Sequence, residues 1–177
     1  MEKSYKEYLK QISTFVFDVD GVLTDGSIIV NTEGEMFRKM NIKDGFALKT
    51  AVDENYNICI ISGGTNEGVR KRLQGLGITD IHLGASNKIE ILDTYFASKQ
   101  VHKDNVLYMG DDVPDLKPMK NVGLPCCPQD AVPEIKAICK YISHKKGGEG
   151  AVRDVIEQVL KVQGKWMSNG DASARYD

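Results

Sequence analysis

The chain has 177 residues, 41% of them hydrophobic and 27% charged, a profile that fits one globular domain and excludes disordered, collagenous and heptad-repeat chains. Lys and Arg total 23 against 25 Asp and Glu, so a formal charge of −2 supplies no broad positive field for nucleic acid or anionic lipid. No apolar run approaches the roughly 18 residues of a membrane span, and Met1-Glu2-Lys3-Ser4-Tyr5-Lys6 lacks the apolar stretch of an export signal.

In chain order, the pattern predicts a buried strand over 15–17 and then a β-hairpin. The hairpin pairs 27–30 with 35–40 around the turn Asn31-Thr32-Glu33-Gly34 and protrudes from the sheet. A helix over 46–54, a strand over 58–61, a helix over 67–76 and a strand over 81–83 follow. Next come a helix over 88–98, strands over 106–109 and 122–124, and a helix over 132–138. Val152, Val155, Ile156, Val159 and Leu160 form the i, i+3, i+4, i+7, i+8 stripe of a last helix over 151–162. Short apolar runs alternating with helical patterns mean an α/β protein with a parallel sheet, built as one domain over 1–163. Residues 164–177 are polar and small, and are expected to form a mobile tail that could fold over a site as a lid. Cys59, Cys126, Cys127 and Cys139 show no Cys-x-x-Cys spacing and read as reduced small hydrophobes, consistent with a cytoplasmic protein.

The chemistry concentrates at strand ends. The first strand runs into Asp18-Val19-Asp20-Gly21, and Gly21 permits the turn that would keep both carboxylates at the sheet edge. The strand over 106–109 runs into Gly110-Asp111-Asp112-Val113-Pro114-Asp115, with Asp111 and Asp115 one helical turn apart. Five acids at one edge repel one another, and their hard oxygens suit Mg²⁺. Ser62-Gly63-Gly64 offers a hydroxyl and backbone N–H groups to a phosphate, and Lys88 stands at a helix start, where the macrodipole disfavours a cation unless an anion is near. Taken singly, these features also read as an Asx turn, an ordinary turn and a solvated lysine. Together they describe a phosphate held between Mg²⁺, hydroxyl, amides and ammonium.

These four segments, in this order, resemble the motifs of the haloacid dehalogenase superfamily of phosphatases. Asn41-Ile42-Lys43-Asp44-Gly45, Gly84-Ala85-Ser86-Asn87-Lys88 and Gly147-Gly148-Glu149-Gly150-Ala151-Val152-Arg153-Asp154 extend the likeness to its capless branch, the 3-deoxy-D-manno-octulosonate 8-phosphate phosphatases, over about 15–165. The resemblance implies a Rossmann-like doubly wound parallel sheet with no cap domain. The 41 residues between Asp20 and Ser62 leave room only for the hairpin and one helix. It further implies Asp18 as nucleophile, Asp20 as acid and base, and a Mg²⁺ held by Asp18, the Asp20 carbonyl and Asp111. Ser62, the Gly63 amide and Lys88 would hold the transferring phosphoryl group, with Asp112 and Asp115 holding metal-bound water or orienting Lys88. The implied substrate is a sugar-acid phosphate of lipopolysaccharide synthesis, and the implied assembly a homotetramer in which each hairpin helps to cover a neighbour's site. At Gly64 the octulosonate-phosphate enzymes usually carry arginine and the nine-carbon relatives glutamate. The substrate carboxylate would then fall to Arg72 or to the Lys43-Asp44-Gly45 loop, or be left without a dedicated partner. A phosphatase of a nine-carbon sugar-acid phosphate and a non-catalytic oligomerisation module are the alternative readings.

Overall fold

The computed structural model describes residues 4–167. Its elements are α1 (Tyr5–Leu9), β1 (Thr14–Phe17), β2 (Ile29–Val30), β3 (Met36–Phe37), α2 (Ile42–Asp53), β4 (Asn57–Ile61), α3 (Glu67–Gly75) and β5 (Asp80–His82). They continue with α4 (Lys88–Lys99), β6 (Val106–Met109), α5 (Leu116–Lys120), β7 (Leu124–Cys127), α6 (Pro133–Lys136), β8 (Tyr141–Ile142) and α7 (Ala151–Val162). Six strands form a parallel sheet in the order β5-β4-β1-β6-β7-β8. The chain lays β4 and β5 on one side of β1, then crosses to build the other side from β6 outward. The carboxyl ends of β1 and β6 therefore flank the topological switch, where open α/β sheets leave a crevice for ligands.

Alternation along each strand splits the core in two. Phe15, Phe17, Ile58, Ile60, Leu107 and Met109 face a cluster completed by α2, α3 and the apolar stripe of α7. Val16, Cys59, Ile61, Val106 and Tyr108 face a second cluster completed by Leu92 and Tyr95 of α4, Met119 of α5 and Ile135 of α6. Strands buried on both faces explain why the sequence shows continuous apolar runs rather than alternation.

The last helix spans Ala151–Val162, where its periodicity placed it. Other boundaries move for local reasons. α2 begins at Ile42, earlier than expected, because the Asn41 side chain accepts from the Lys43 N–H at 2.8 Å and caps the helix. β7 lies at Leu124–Cys127 rather than 122–124, although Pro125 sits within it beside Tyr108. Proline carries no N–H for the ladder, so its presence argues against a central strand, yet its carbonyl still accepts from the Lys140 N–H at 3.0 Å. α1, α5 and β8 span five residues or fewer, too short for a periodic signal.

The hairpin is present as an antiparallel pair, Ile29 against Phe37 and Val30 against Met36. Its turn is held by Asn31, whose side-chain amide donates to the Glu35 carboxylate and whose Oδ1 accepts from the Glu35 N–H, both at 2.8 Å. Between β1 and β4 the chain forms only this hairpin and α2. The tail expected to be mobile from residue 164 is docked at its start. The Lys165 and Trp166 N–H groups donate to the Leu160 carbonyl, and the Trp166 indole meets the Phe46 ring edge-on at 5.8 Å. Residues 168–177, including the suggested lid, lie outside the described residues. Among the described residues no helix is long and apolar enough to cross a membrane.

The segment after β8 supports the loop after β1. A Cβ on Gly147 would stand 1.9 Å from the Gly21 carbonyl oxygen, and the Gly148 N–H donates to the Val22 carbonyl at 2.9 Å. Gly147→Ala changes no polar group, yet it must push the two backbones apart. It is expected to lower the free energy of unfolding by about 1–3 kcal/mol, read as a lower urea midpoint at unchanged slope.

Candidate active site

Asp18 extends the β1 ladder by one residue, its N–H donating to the Met109 carbonyl at 3.2 Å, so the carboxylate stands beside the end of β6. The chain then folds back. The N–H groups of Val22, Leu23 and Thr24 all donate to the Val19 carbonyl, while the Thr24 hydroxyl accepts from Gly21 and Gly26. Gly21 has a φ of 86°, and a Cβ there would lie 2.0 Å from Asp111 Oδ2. A side chain at this position would meet both backbone strain and a carboxylate, so glycine is what lets the β1 and β6 loops close on each other.

Lys88 opens α4 and reaches the cluster with its ammonium, 3.0 Å from Asp18 Oδ2 and 2.8 Å from Asp115 Oδ1. Asp115 is fully buried and also accepts from the Tyr108 hydroxyl at 2.8 Å. Asp18, Asp111 and Asp115 each bring a carboxylate oxygen within 4.8 Å of the others. Burial, and then the Asp115 charge, push the Asp18 carboxyl up to about 7 despite Lys88. Burial followed by Asp115 and Asp112 does the same to Asp111. For Lys88, burial alone would lower the pKa, but Asp115 and Asp18 outweigh it and the net shift is upward. One ammonium thus serves three carboxylates.

The shortfall identifies what the site accepts. Asp111 Oδ1 and Asp115 Oδ2 are buried with no hydrogen-bond partner among the described residues, an expensive condition for carboxyl oxygens. Hard carboxylate oxygens, converging and in excess of local cations, fit Mg²⁺. The cavity above them measures about 520 Å³ and is lined by these acids, Asp20, Lys88, Ser62 and Gly63. Ser62 is buried at the end of β4, its hydroxyl accepting from the Gly64 N–H at 3.2 Å.

The sequence-predicted residues divide into those that converge here and those that do not. Asp18, Asp20, Ser62, Gly63, Lys88, Asp111, Asp112 and Asp115 all line the cavity. Asp112 is exposed and spends its carboxylate on the Val113 N–H at 2.7 Å, capping the short turn that carries Asp115, so of these two acids it is Asp115 that holds Lys88. The candidate substrate contacts lie elsewhere. Arg72 lays its guanidinium against α2, 2.8 Å from where a Gly45 Cβ would be. Asp44 is buried beneath the start of α7, accepting from the Arg153 N–H at 2.7 Å, with burial raising its pKa to about 6. Lys43 lines a separate, larger hollow of about 700 Å³ with His144 and Arg153, so size alone would have chosen the wrong cavity. His82 buries its Nε2 without a hydrogen-bond partner among the described residues.

Sequence reasoning missed Arg38. Its Nε donates to Asp20 Oδ1 at 2.7 Å and its Nη2 to Asp20 Oδ2 at 3.1 Å. The available signal was a basic residue directly after the apolar pair Met36-Phe37 on the return arm of the hairpin.

The haloacid dehalogenase-like hydrolase family matches residues 73–156. The chain is 36% identical over 156 residues to the 3-deoxy-D-manno-octulosonate 8-phosphate phosphatase of Salmonella typhi, spanning 88% of this chain and 83% of that one. It belongs to that phosphatase family. The family enzyme of Yersinia pestis has a structure that superposes with a TM-score of 0.90 at 31% identity, over 94% of this chain and 90% of that one. The enzyme of Moraxella catarrhalis, solved with a magnesium ion, a phosphate ion and a KDO molecule, superposes with a TM-score of 0.88 at 32% identity, over 94% of both chains.

The raised carboxyls predict how metal and pH are linked. Asp18 and Asp111 bind protons in the metal-free fold up to about 7, against an ordinary value of 3.8, so their contribution to stability is present at low pH and lost as pH rises through about 7. A bound cation favours the ionised carboxylates. The rise in melting temperature caused by saturating Mg²⁺ is therefore expected to grow from about pH 6 to about pH 8, with proton release on binding by calorimetry near neutrality. A pH-independent increment without proton release would contradict this assignment.

Proposed function

We propose that this chain is a Mg²⁺-dependent phosphatase that hydrolyses 3-deoxy-D-manno-octulosonate 8-phosphate, a step of lipopolysaccharide synthesis, through an aspartyl-phosphate on Asp18. The observation that carries the reading is the buried Asp18–Lys88–Asp115 arrangement, with Asp111 completing the acid cluster at the switch point of the sheet.

Asp18 is fixed at both oxygens. Oδ1 accepts from the Val19 N–H at 2.7 Å and Oδ2 faces Lys88, so the carboxylate is oriented before substrate arrives. In-line attack on phosphorus forms the Asp18–phosphorus bond and breaks the bond to the sugar oxygen, splitting one hydrolysis into two displacements. Lys88, the Ser62 hydroxyl and the Gly63 N–H face the equatorial oxygens of the transferring group. Asp20 gives its proton to the departing alkoxide and takes one from the water that then attacks phosphorus, regenerating Asp18. Asp18, Asp111 and the Asp20 carbonyl would hold Mg²⁺, which when bound offsets repulsion between the nucleophile and the phosphate oxygens. Asp115 keeps Lys88 in place.

The same reading places the protein in the cytoplasm, supported by four free cysteines. It also makes the protein a homotetramer. Ile28, Ile29, Val30, Met36 and Phe37 are exposed together on the hairpin, an apolar surface that a neighbouring copy would cover. Light scattering is expected to give four times the chain mass.

Asp18→Asn, nearly isosteric but unable to attack, is expected to lower kcat by ~10⁴-fold or more while leaving the melting temperature within a few degrees. EDTA should abolish turnover and Mg²⁺ restore it. Across a panel of sugar-acid and hexose phosphates, kcat/KM should be highest for the octulosonate 8-phosphate. Equal or better hydrolysis of a hexose phosphate, which lacks the carboxylate, would overturn the substrate assignment.

A further inference from the structure

Asp20 does not share the ammonium that serves its neighbours. Both of its oxygens are taken by Arg38, which the return strand of the hairpin delivers to the edge of the cavity. The Arg38 side chain is 9% exposed against 35% for Asp20, so the guanidinium lies behind the carboxylate while the carboxylate faces the cavity. A fork meeting a carboxylate through two parallel N–H···O bonds fixes the plane of the acid as well as its place, which a point charge cannot do.

The loop after β4 makes room for this pair. A Cβ on Gly64 would lie 3.2 Å from Arg38 Nη2 and 3.2 Å from Asp20 Oδ2. Gly64 is not in the left-handed region, so the backbone conformation does not require glycine there. Space favours it, because a Cβ there would press on the guanidinium and the carboxylate by a few tenths of an ångström. Three segments distant in sequence, the hairpin, the β1 loop and the β4 loop, thus converge on the orientation of one carboxyl group.

We propose that Arg38 is a positioning residue: it holds the plane of the Asp20 carboxylate, one oxygen of which exchanges its bond from the fork for the proton that it then passes to the leaving oxygen, and Gly64 leaves the space that the guanidinium occupies. This rests on the reading of Asp20 as proton donor. A residue that acts only by aiming a proton donor matters for a leaving group that needs a proton and not for one that leaves as a stable anion.

The test compares kcat/KM, which counts only steps through departure of the leaving group, for the octulosonate 8-phosphate, an alkyl ester, and for p-nitrophenyl phosphate, an activated aryl ester. Arg38→Met is expected to lower kcat/KM about 30-fold on the alkyl ester and less than about 3-fold on the aryl ester. Arg38→Lys, which keeps the charge and loses the fork, should recover only part of the loss. Gly64→Ala, which crowds the guanidinium, should give a smaller loss with the same selectivity in the native background and add nothing to Arg38→Met, because both changes act on the same pair. Retained aryl-ester activity certifies that each variant is folded.

An equal loss on both esters, no loss on either, or additive effects of the two substitutions would overturn the proposal. Asp20→Asn separates this from the underlying reading. If it fails to show the same selective loss, the assignment of Asp20 falls. If it shows that loss while Arg38→Met does not, only the role of Arg38 falls.

Discussion

One ammonium among three carboxylates, two buried and one half-buried, is the constraint on which the site depends. Two like charges about 5 Å apart repel by roughly 3–4 kcal/mol at an effective dielectric constant near 20, and a domain has only about 5–15 kcal/mol of net stability to set against such costs. Lys88 relieves Asp18 and Asp115 directly, yet the Asp18 and Asp111 carboxyls remain raised to about 7. Protons or a divalent cation must supply the rest. The scaffold fits this demand: a switch point brings two strand ends together, Gly21 admits the Asp111 carboxylate, and Tyr108 satisfies the deepest acid from below. The strain is tolerated because these acids stand on strand ends and tight turns backed by two apolar clusters, not on loops free to separate.

The hairpin joins an apolar surface to the acid of the site. Its outer side chains are apolar and uncovered, while Arg38 just beyond its second strand holds the Asp20 carboxyl. Whatever fixes the hairpin also fixes that carboxyl. In a capless domain the neighbouring copy proposed above would then have two effects at once, exclusion of water from an open cavity and rigidity of the group proposed to move the proton.

Much of this was legible because the signals were local. Strand ends carrying Asp18 and Asp111, and the stripe that set α7, depend on spacing within a few residues. What was not legible depended on contacts distant in sequence. Nothing adjacent to Arg38 points to Asp20, and nothing near Arg72 shows that it lies over Gly45. Lys43 and Asp44 fall in the first turn of α2, ahead of where the helix was expected to start, and there Asp44 serves α7 while Lys43 faces another hollow. In β7, tertiary pairing with β6 overrode the local cost of Pro125.

The central claim is that the cluster exists to make Asp18 a phosphoryl acceptor. Acid-quench mass spectrometry of the Asp20→Asn variant mixed with Mg²⁺ and p-nitrophenyl phosphate tests it most directly, because that ester needs no proton to leave and the variant lacks the base for the second displacement. The account predicts that the peptide containing Asp18 gains the mass of one phosphoryl group, and that Asp18→Asn in the same background abolishes the adduct. Release of p-nitrophenolate with no adduct at Asp18, or an adduct on another residue, would contradict it.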